Sequence, residues 1–309
     1  MFGYFFSHDH GHRESIIADS YRIERSMTTT VDAEYSYPAT MGFVTADWLE
    51  TVLGDPRLRV VQVDGEQYYH QVHIPGALQI AYGKLVTKRN DVPGVMADPV
   101  DLAREFGRLG IDATTPVVAY DLTGGLDAAR LLWTLASLGH TGFKGVLDGG
   151  LSLWYSQNRP RESGAVSVAG VTFHGSLDTR WLAEYEEVLA ISEGRQEAIL
   201  VDTRSSKEYQ GLTLRGPRGH IRGAVHYDWT QSLAGPKDLW LKKLDGITEP
   251  LRRLGISDVD KDVVLYCETA HRAAHTWLLL LHLGYKKVRL YDGSIAEWRV
   301  LGLPVTQDA

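Results

Sequence analysis

Short apolar runs that close on a polar residue recur along the chain. They are Arg59–Val63 before Asp64, Val117–Tyr120 before Asp121, Gly145–Leu147 before Asp148, Ala198–Asp202, Asp262–Tyr266 before Cys267, and Lys287–Tyr291. Runs this short and continuous predict buried strands. Between them, apolar positions recur at helical spacing near Ala46–Leu53, Leu126–Leu138, Glu249–Leu254 and Thr269–Leu283. Strands alternating with helices predict an α/β fold, a mainly parallel sheet flanked by helices.

The pattern occurs twice. His73-Ile74-Pro75-Gly76-Ala77 returns as His220-Ile221-Arg222-Gly223-Ala224, a shift of 147. Leu109-Gly110-Ile111 returns as Leu254-Gly255-Ile256, and Leu138-Gly139-His140 as Leu283-Gly284-Tyr285, each shifted by 145. Val117–Asp121 matches Val263–Cys267 at 146, and Asp148-Gly149-Gly150 with Trp154 matches Asp292-Gly293-Ser294 with Trp298 at 144. A period near 145 is a domain length, so the chain reads as a duplicated domain. The expected division is a first copy over 43–158, a linker over 159–176 rich in Gly and polar residues, and a second copy over 177–309. Residues 1–26 read as a tail; His8, His10 and His12 alternate there.

Composition narrows the function. The 309 residues carry 32 Lys and Arg against 39 Asp and Glu, a net charge of −7 that argues against nucleic acid as a partner. No apolar run is long enough for a membrane span, and the N-terminus lacks the layout of a signal peptide. The single cysteine, Cys267, excludes an intramolecular disulfide and any multi-cysteine metal site. The cytoplasm is therefore the expected compartment, and no metal or cofactor is expected.

Cys267 stands where a strand ends and a helix begins, followed by Glu268, Thr269, Ala270, His271 and Arg272. Ligands of parallel sheets bind at such carboxyl ends. A tight strand-to-helix loop turns its N–H groups inward, and the helix adds its positive end; both favour a thiolate. The alternative is an inert, buried cysteine. The first copy has Asp121 at the matching position, so only one copy can do thiol chemistry.

Together these residues resemble the tandem-domain rhodaneses, the thiosulfate and 3-mercaptopyruvate sulfurtransferases, over about residues 43 to 306. The resemblance is carried by Val201-Asp202-Thr203-Arg204, Glu208-Tyr209-Gln210-Gly211, Gly219–Ala224, Tyr266-Cys267 with Arg272, and the closing Tyr291-Asp292-Gly293-Ser294. A silent first copy with Tyr120-Asp121 and Ala129-Arg130 is likewise typical. It implies that Cys267 takes sulfur from a small anionic donor as a persulfide and passes it to cyanide or a thiol acceptor, thioredoxin-like or sulfur-acceptor proteins included. It also implies that Arg204, Glu268, Thr269, Ala270, His271 and Arg272 bind substrate. The CETAHR loop looks closest to bacterial tandem rhodaneses whose loop ends in His-Arg. Glu208 stands where vertebrate forms carry a second arginine.

Two other readings remain. One is a persulfide carrier serving a partner protein. The other is a rhodanese-like phosphatase, whose Cys-x5-Arg cradle is one residue longer than the loop here. Asp64 and Asp202 read as buried caps, and His73 and His220 as structural because both copies have one. His271 is either a ligand for donor or acceptor or a solvent-facing side chain. His275 and His282 read as surface or satisfied core residues. Trp133, Trp154, Trp277 and Trp298 read as core. Trp240, Lys242 and Lys243 are candidates for the pocket rim, against the simpler reading of packing and a solvated charge pair.

Overall fold

The computed structural model describes residues 35–64, 66–213 and 218–307. The expected tail over 1–26, with its three histidines, lies outside the described residues.

The first copy runs β1 (Gly42–Val44), α1 (Ala46–Val52), β2 (Arg59–Val63), α2 (Glu66–Tyr69), β3 (Leu78–Ile80), β4 (Val86–Arg89), β5 (Val92–Met96), α3 (Pro99–Arg108), β6 (Val117–Tyr120), α4 (Leu126–Ser137), β7 (Lys144–Leu147) and α5 (Gly150–Ser156). The second runs β8 (Leu182–Ala183), α6 (Tyr185–Ser192), β9 (Ile199–Asp202), α7 (Ser206–Tyr209), β10 (Val225–His226), α8 (Leu244–Arg253), β11 (Asp262–Tyr266), α9 (His271–His282), β12 (Lys287–Tyr291) and α10 (Ser294–Val300).

Each copy forms a five-stranded parallel sheet, in the orders β1-β7-β6-β2-β3 and β8-β12-β11-β9-β10. Strand for strand the two orders are the same, so the duplication extends to topology. The central strands β6 and β11 are apolar and buried along nearly their whole length, which is why their sequences do not alternate. The edge strands β8 and β10 are two residues each, too short to leave a periodic signal.

Helix α8 starts at Leu244, five residues before the expected Glu249. Gly246 and Pro250 read as breakers, but Ile247 and Leu251 fall one turn apart and bury the same face. The sequence pattern also missed the β4–β5 hairpin, whose register is antiparallel. Asn90 (φ 49°) and Asp91 (φ 66°) at its tip adopt the left-handed conformation that tight two-residue turns require.

The four conserved-by-repeat tryptophans are core residues, at most 1% exposed. The equivalent Trp154 and Trp298 each donate their indole N–H to a proline carbonyl six residues on, Pro160 and Pro304, both at 2.8 Å. Between the copies the chain runs largely without helix or strand and adheres to the first copy. Glu162 exchanges two backbone bonds with His73, Val171 N donates to the Gly107 carbonyl, and Phe173 packs on Phe106. Helices α4 and α9 pack against each other and bring the two strand-to-helix loops into one neighbourhood.

Candidate active site

Cys267 follows β11 and is 1% exposed. Ala270 closes the loop at φ 59°, a left-handed turn taken by a non-glycine residue, and α9 begins at His271. Ser294 Oγ receives the N–H groups of Cys267 (3.2 Å) and Ala270 (3.0 Å) and donates to the Tyr291 carbonyl (2.9 Å). The Cys267 and Glu268 carbonyls are taken by the N–H groups of Ile295 and Ala296, both at 3.1 Å. With the carbonyls drawn to α10, the N–H groups of Glu268, Thr269, His271, Arg272 and Ala273 donate to no acceptor among the described residues. Such a set of free amides at a helix start is an anion site.

The first copy displays that site filled. Asp121, at the cysteine position, is fully buried, and its carboxylate accepts from the N–H groups of Thr123 (2.9 Å), Gly125 (2.8 Å) and Ala128 (2.9 Å). Burial nevertheless pushes the Asp121 carboxyl above the usual carboxylate range, and the three amides only partly counter it. The silent loop has turned its anion site on its own side chain.

Each of the residues expected at the site has a definite place. Arg272 reaches toward Cys267, and both its Nη atoms lie on Glu208, at 2.7 and 2.9 Å. Burial opposes the Glu208 charge, but Arg272 and Ser205 outweigh it and hold the carboxyl down to about 2. Glu268 turns from the thiol toward Arg299, 3.2 Å away. Ala270 is buried in the turn. Thr269 lies against Gly94 of the β4–β5 hairpin, where a Cβ would come within 2.6 Å of the Thr269 Cβ. His271 sets Nε2 2.7 Å from Asp127 Oδ1 and its ring 4.5 Å from that of Tyr82.

Arg204 departs from expectation. It is 1% exposed and turned inward, its guanidinium on Asp202 (3.0, 3.0 and 2.5 Å) and on the Gly219 carbonyl (2.8 Å). With its fork so occupied, it is not presented to a substrate. Asp202 is thus a buried cap, as expected. His73 and His220 are structural: each is stacked on a tyrosine and bonded to that tyrosine's carbonyl. His275 differs from expectation, because it is fully buried with neither ring nitrogen hydrogen-bonded.

The segment offered as a rim candidate lies at the other loop. Leu241 N donates to Asp148 of the first copy (2.8 Å), and Leu239 and Trp229 rest on Gly124 of the silent loop. The segment with Trp240, Lys242 and Lys243 therefore covers the Asp121 loop, and Lys242 Nζ is bonded to the Gln231 carbonyl (2.9 Å). The Cys267 loop is covered instead by the first copy. Asp292 accepts from Met96 N (2.7 Å) and pairs with Arg130 (2.6 Å), which also donates to the Gly94 carbonyl (3.3 Å). Tyr82, Gly94, Asp127 and Arg130 were not legible as site residues. The repeated Asp148 and Asp292 were the one signal, since each reaches a loop of the opposite copy. No group of three metal-ligating side chains occurs among the described residues.

Comparison with known proteins agrees with this geometry. The Rhodanese-like domain model matches residues 45–157 and again 184–300. The chain is 30% identical over 293 residues to the sulfur carrier protein TtuD of Thermus thermophilus, covering 88% of this chain and 98% of that protein. It is 32% identical over 251 residues to a thiosulfate sulfurtransferase of Azotobacter vinelandii, covering 81% and 91%. The crystal structure of SseA from Escherichia coli, described among 3-mercaptopyruvate sulfotransferases, superposes with a TM-score of 0.73 at 26% identity, covering 82% of this chain and 99% of that one.

Proposed function

The chain belongs to the rhodanese family, and on that premise we propose that it is a sulfurtransferase carrying sulfane sulfur from thiosulfate or 3-mercaptopyruvate on Cys267 to cyanide or a thiol. The observation that carries this is the pair of loops: free amides around the only thiol in one copy, the same site closed by Asp121 in the other. The second domain is thus the catalytic one, and the first shapes the access to it.

In the first half-reaction the Cys267 sulfur attacks the donor sulfur and a Sγ–S bond forms. With thiosulfate the S–S bond breaks and sulfite leaves with the electron pair. With 3-mercaptopyruvate the C–S bond breaks, and the thiol proton ends on the carbon of the leaving pyruvate. The persulfide then carries its charge on the outer sulfur, where amides already in place stabilise it without reorganising. In the second half-reaction cyanide or a thiolate attacks that outer sulfur and Cys267 leaves as thiolate. Because Cys267 is the only cysteine, an external acceptor must discharge the persulfide.

The same persulfide serves a sulfur carrier, and the likeness to TtuD favours this as a second reading. The phosphatase reading has no support, since the arginine that would wrap a phosphate is held by Glu208. The cytoplasm is the proposed compartment; no helix among the described residues is long and apolar enough to cross a membrane.

Intact mass spectrometry tests the proposal. Either donor should add one sulfur, about 32 Da, to the wild-type chain, cyanide should remove it, and Cys267→Ser should not gain it. No gain with either donor would overturn the reading. A persulfide that resists cyanide but passes to a partner protein would favour the carrier.

A further inference from the structure

We infer that Arg130 of the first copy is a positioning residue for Cys267 of the second, and that it acts through Asp292. The inference rests on the sulfurtransferase reading and concerns what holds the nucleophile loop in its working shape.

Arg130 is the fifth residue of α4 and is fully buried, its guanidinium 4.4 Å from the centre of the Trp133 ring. Its Nη2 donates to Asp292 Oδ1 at 2.6 Å and to the Gly94 carbonyl at 3.3 Å. The other oxygen of Asp292 accepts from Met96 N at 2.7 Å. Asp292 stands in the turn between β12 and α10. Two residues on, Ser294 Oγ receives the N–H groups of Cys267 and Ala270. The next two amides, of Ile295 and Ala296, take the Cys267 and Glu268 carbonyls. Gly94 is the hairpin residue that lies against Thr269. Arg130 therefore fastens both supports of the loop, the turn that holds it and the hairpin that covers it.

Stability is a poor reason for this arrangement. Arg130 Nε and Nη1 are buried with no partner among the described residues. A buried ion pair seldom offsets the cost of removing its charges from water, and unpaired donors add to that cost.

The duplication places a counterpart of this contact at the silent loop. Helices α4 and α9 have twelve residues each, and His275 is the fifth of α9. Asp148 matches Asp292, and Leu241, which donates to Asp148 at 2.8 Å, matches Met96. The backbone half of the contact is thus present on both sides. The cationic half is not. His275 is fully buried against Phe43 and Trp229 with neither ring nitrogen hydrogen-bonded. Asp148 is held by the amides of Leu241 and Gly149 alone. Packing of the two copies would treat both sides alike, whereas the charged contact stands only on the side of the thiol.

The test follows Cys267 loading by intact mass against donor concentration, with thiosulfate or 3-mercaptopyruvate. Wild type is compared with Arg130→Gln, Arg130→Lys, Asp292→Asn and Asp148→Asn, with far-ultraviolet spectra confirming that each is folded. Arg130→Gln and Asp292→Asn should lower the maximal loading rate by about tenfold to a hundredfold, the cost of misplacing a reacting group by about 1 Å. The half-saturating donor concentration should change little, since alignment is lost rather than binding. Arg130→Lys keeps the charge on Asp292 and should recover part of the rate. Asp148→Asn, the counterpart change at the silent loop, should load at the wild-type rate. An equal loss in Asp148→Asn would make the pair a packing contact and overturn the inference. Wild-type rates in Arg130→Gln and Asp292→Asn would also overturn it, as would an effect confined to the half-saturating concentration or no recovery in Arg130→Lys. If Arg130→Gln does not fold, Asp292→Asn, which retains an acceptor for Met96 N, decides the question. Wild type that gains no mass from either donor is a separate result, which sinks the sulfurtransferase reading and this inference with it.

Discussion

At the scale of single residues, Asp121 and Cys267 show what one substitution does to a shared loop. The Asp121 carboxylate satisfies three backbone amides in the silent copy. Asp121→Ala should leave those amides without an acceptor and lower unfolding free energy by about 2 kcal/mol, read as a lower denaturation midpoint in urea. An unchanged midpoint would mean that the carboxylate's burial cost cancels its hydrogen bonds. The Asp121/Cys267 asymmetry was legible in the sequence, because a repeat exposes the position where its copies differ. The partners of each charged side chain were not. Arg204 and Arg272 look equally available as sequence, yet Arg204 is folded onto Asp202 and Arg272 onto Glu208. Ion pairing depends on which loops meet, and no spacing rule encodes that.

At the scale of elements, α9 carries the clearest pH dependence. Burial holds His275 down to about 3 and also lowers His282; in the loop after α4, burial holds His140 down to about 4. An unfolded histidine takes up its proton near pH 6.5, whereas these folded ones resist it. Between those values the unfolded chain binds more protons, so stability should fall as pH drops below about 6.5, by roughly 1.4 kcal/mol per unit for each fully resisting histidine. His275→Phe should flatten that acid limb in urea titrations run at successive pH values. If the slope is unchanged, His275 is not among its causes. Helix α9 and the central strands were readable from periodicity, since β6, β11 and α9 are buried over most of their length and carry few polar interruptions. The β4–β5 hairpin was not, because its exposed face is polar and its strands are short.

At the scale of the whole molecule, the first copy covers the Cys267 loop of the second, the site proposed for sulfur transfer. Gly94, at φ 76°, lets the hairpin approach the nucleophile loop closely enough to touch Thr269. Gly94→Ala would force the two apart, and a misplacement of that kind should cost about tenfold to a hundredfold in Cys267 loading, with the far-ultraviolet spectrum unchanged. Normal loading in this variant would show that the hairpin merely covers the loop. The sequence by itself determined the duplication, the α/β class, the order of the central strands and helices, and the single thiol proposed to carry sulfur. These are local properties, written in periodicity and in the comparison of one copy with the other. Tertiary structure alone decided that each loop is roofed by the opposite copy, that Arg204 is internal, and that Glu208 holds Arg272. Those facts join residues far apart in the chain, and they exist only once the two copies have packed together through α4 and α9.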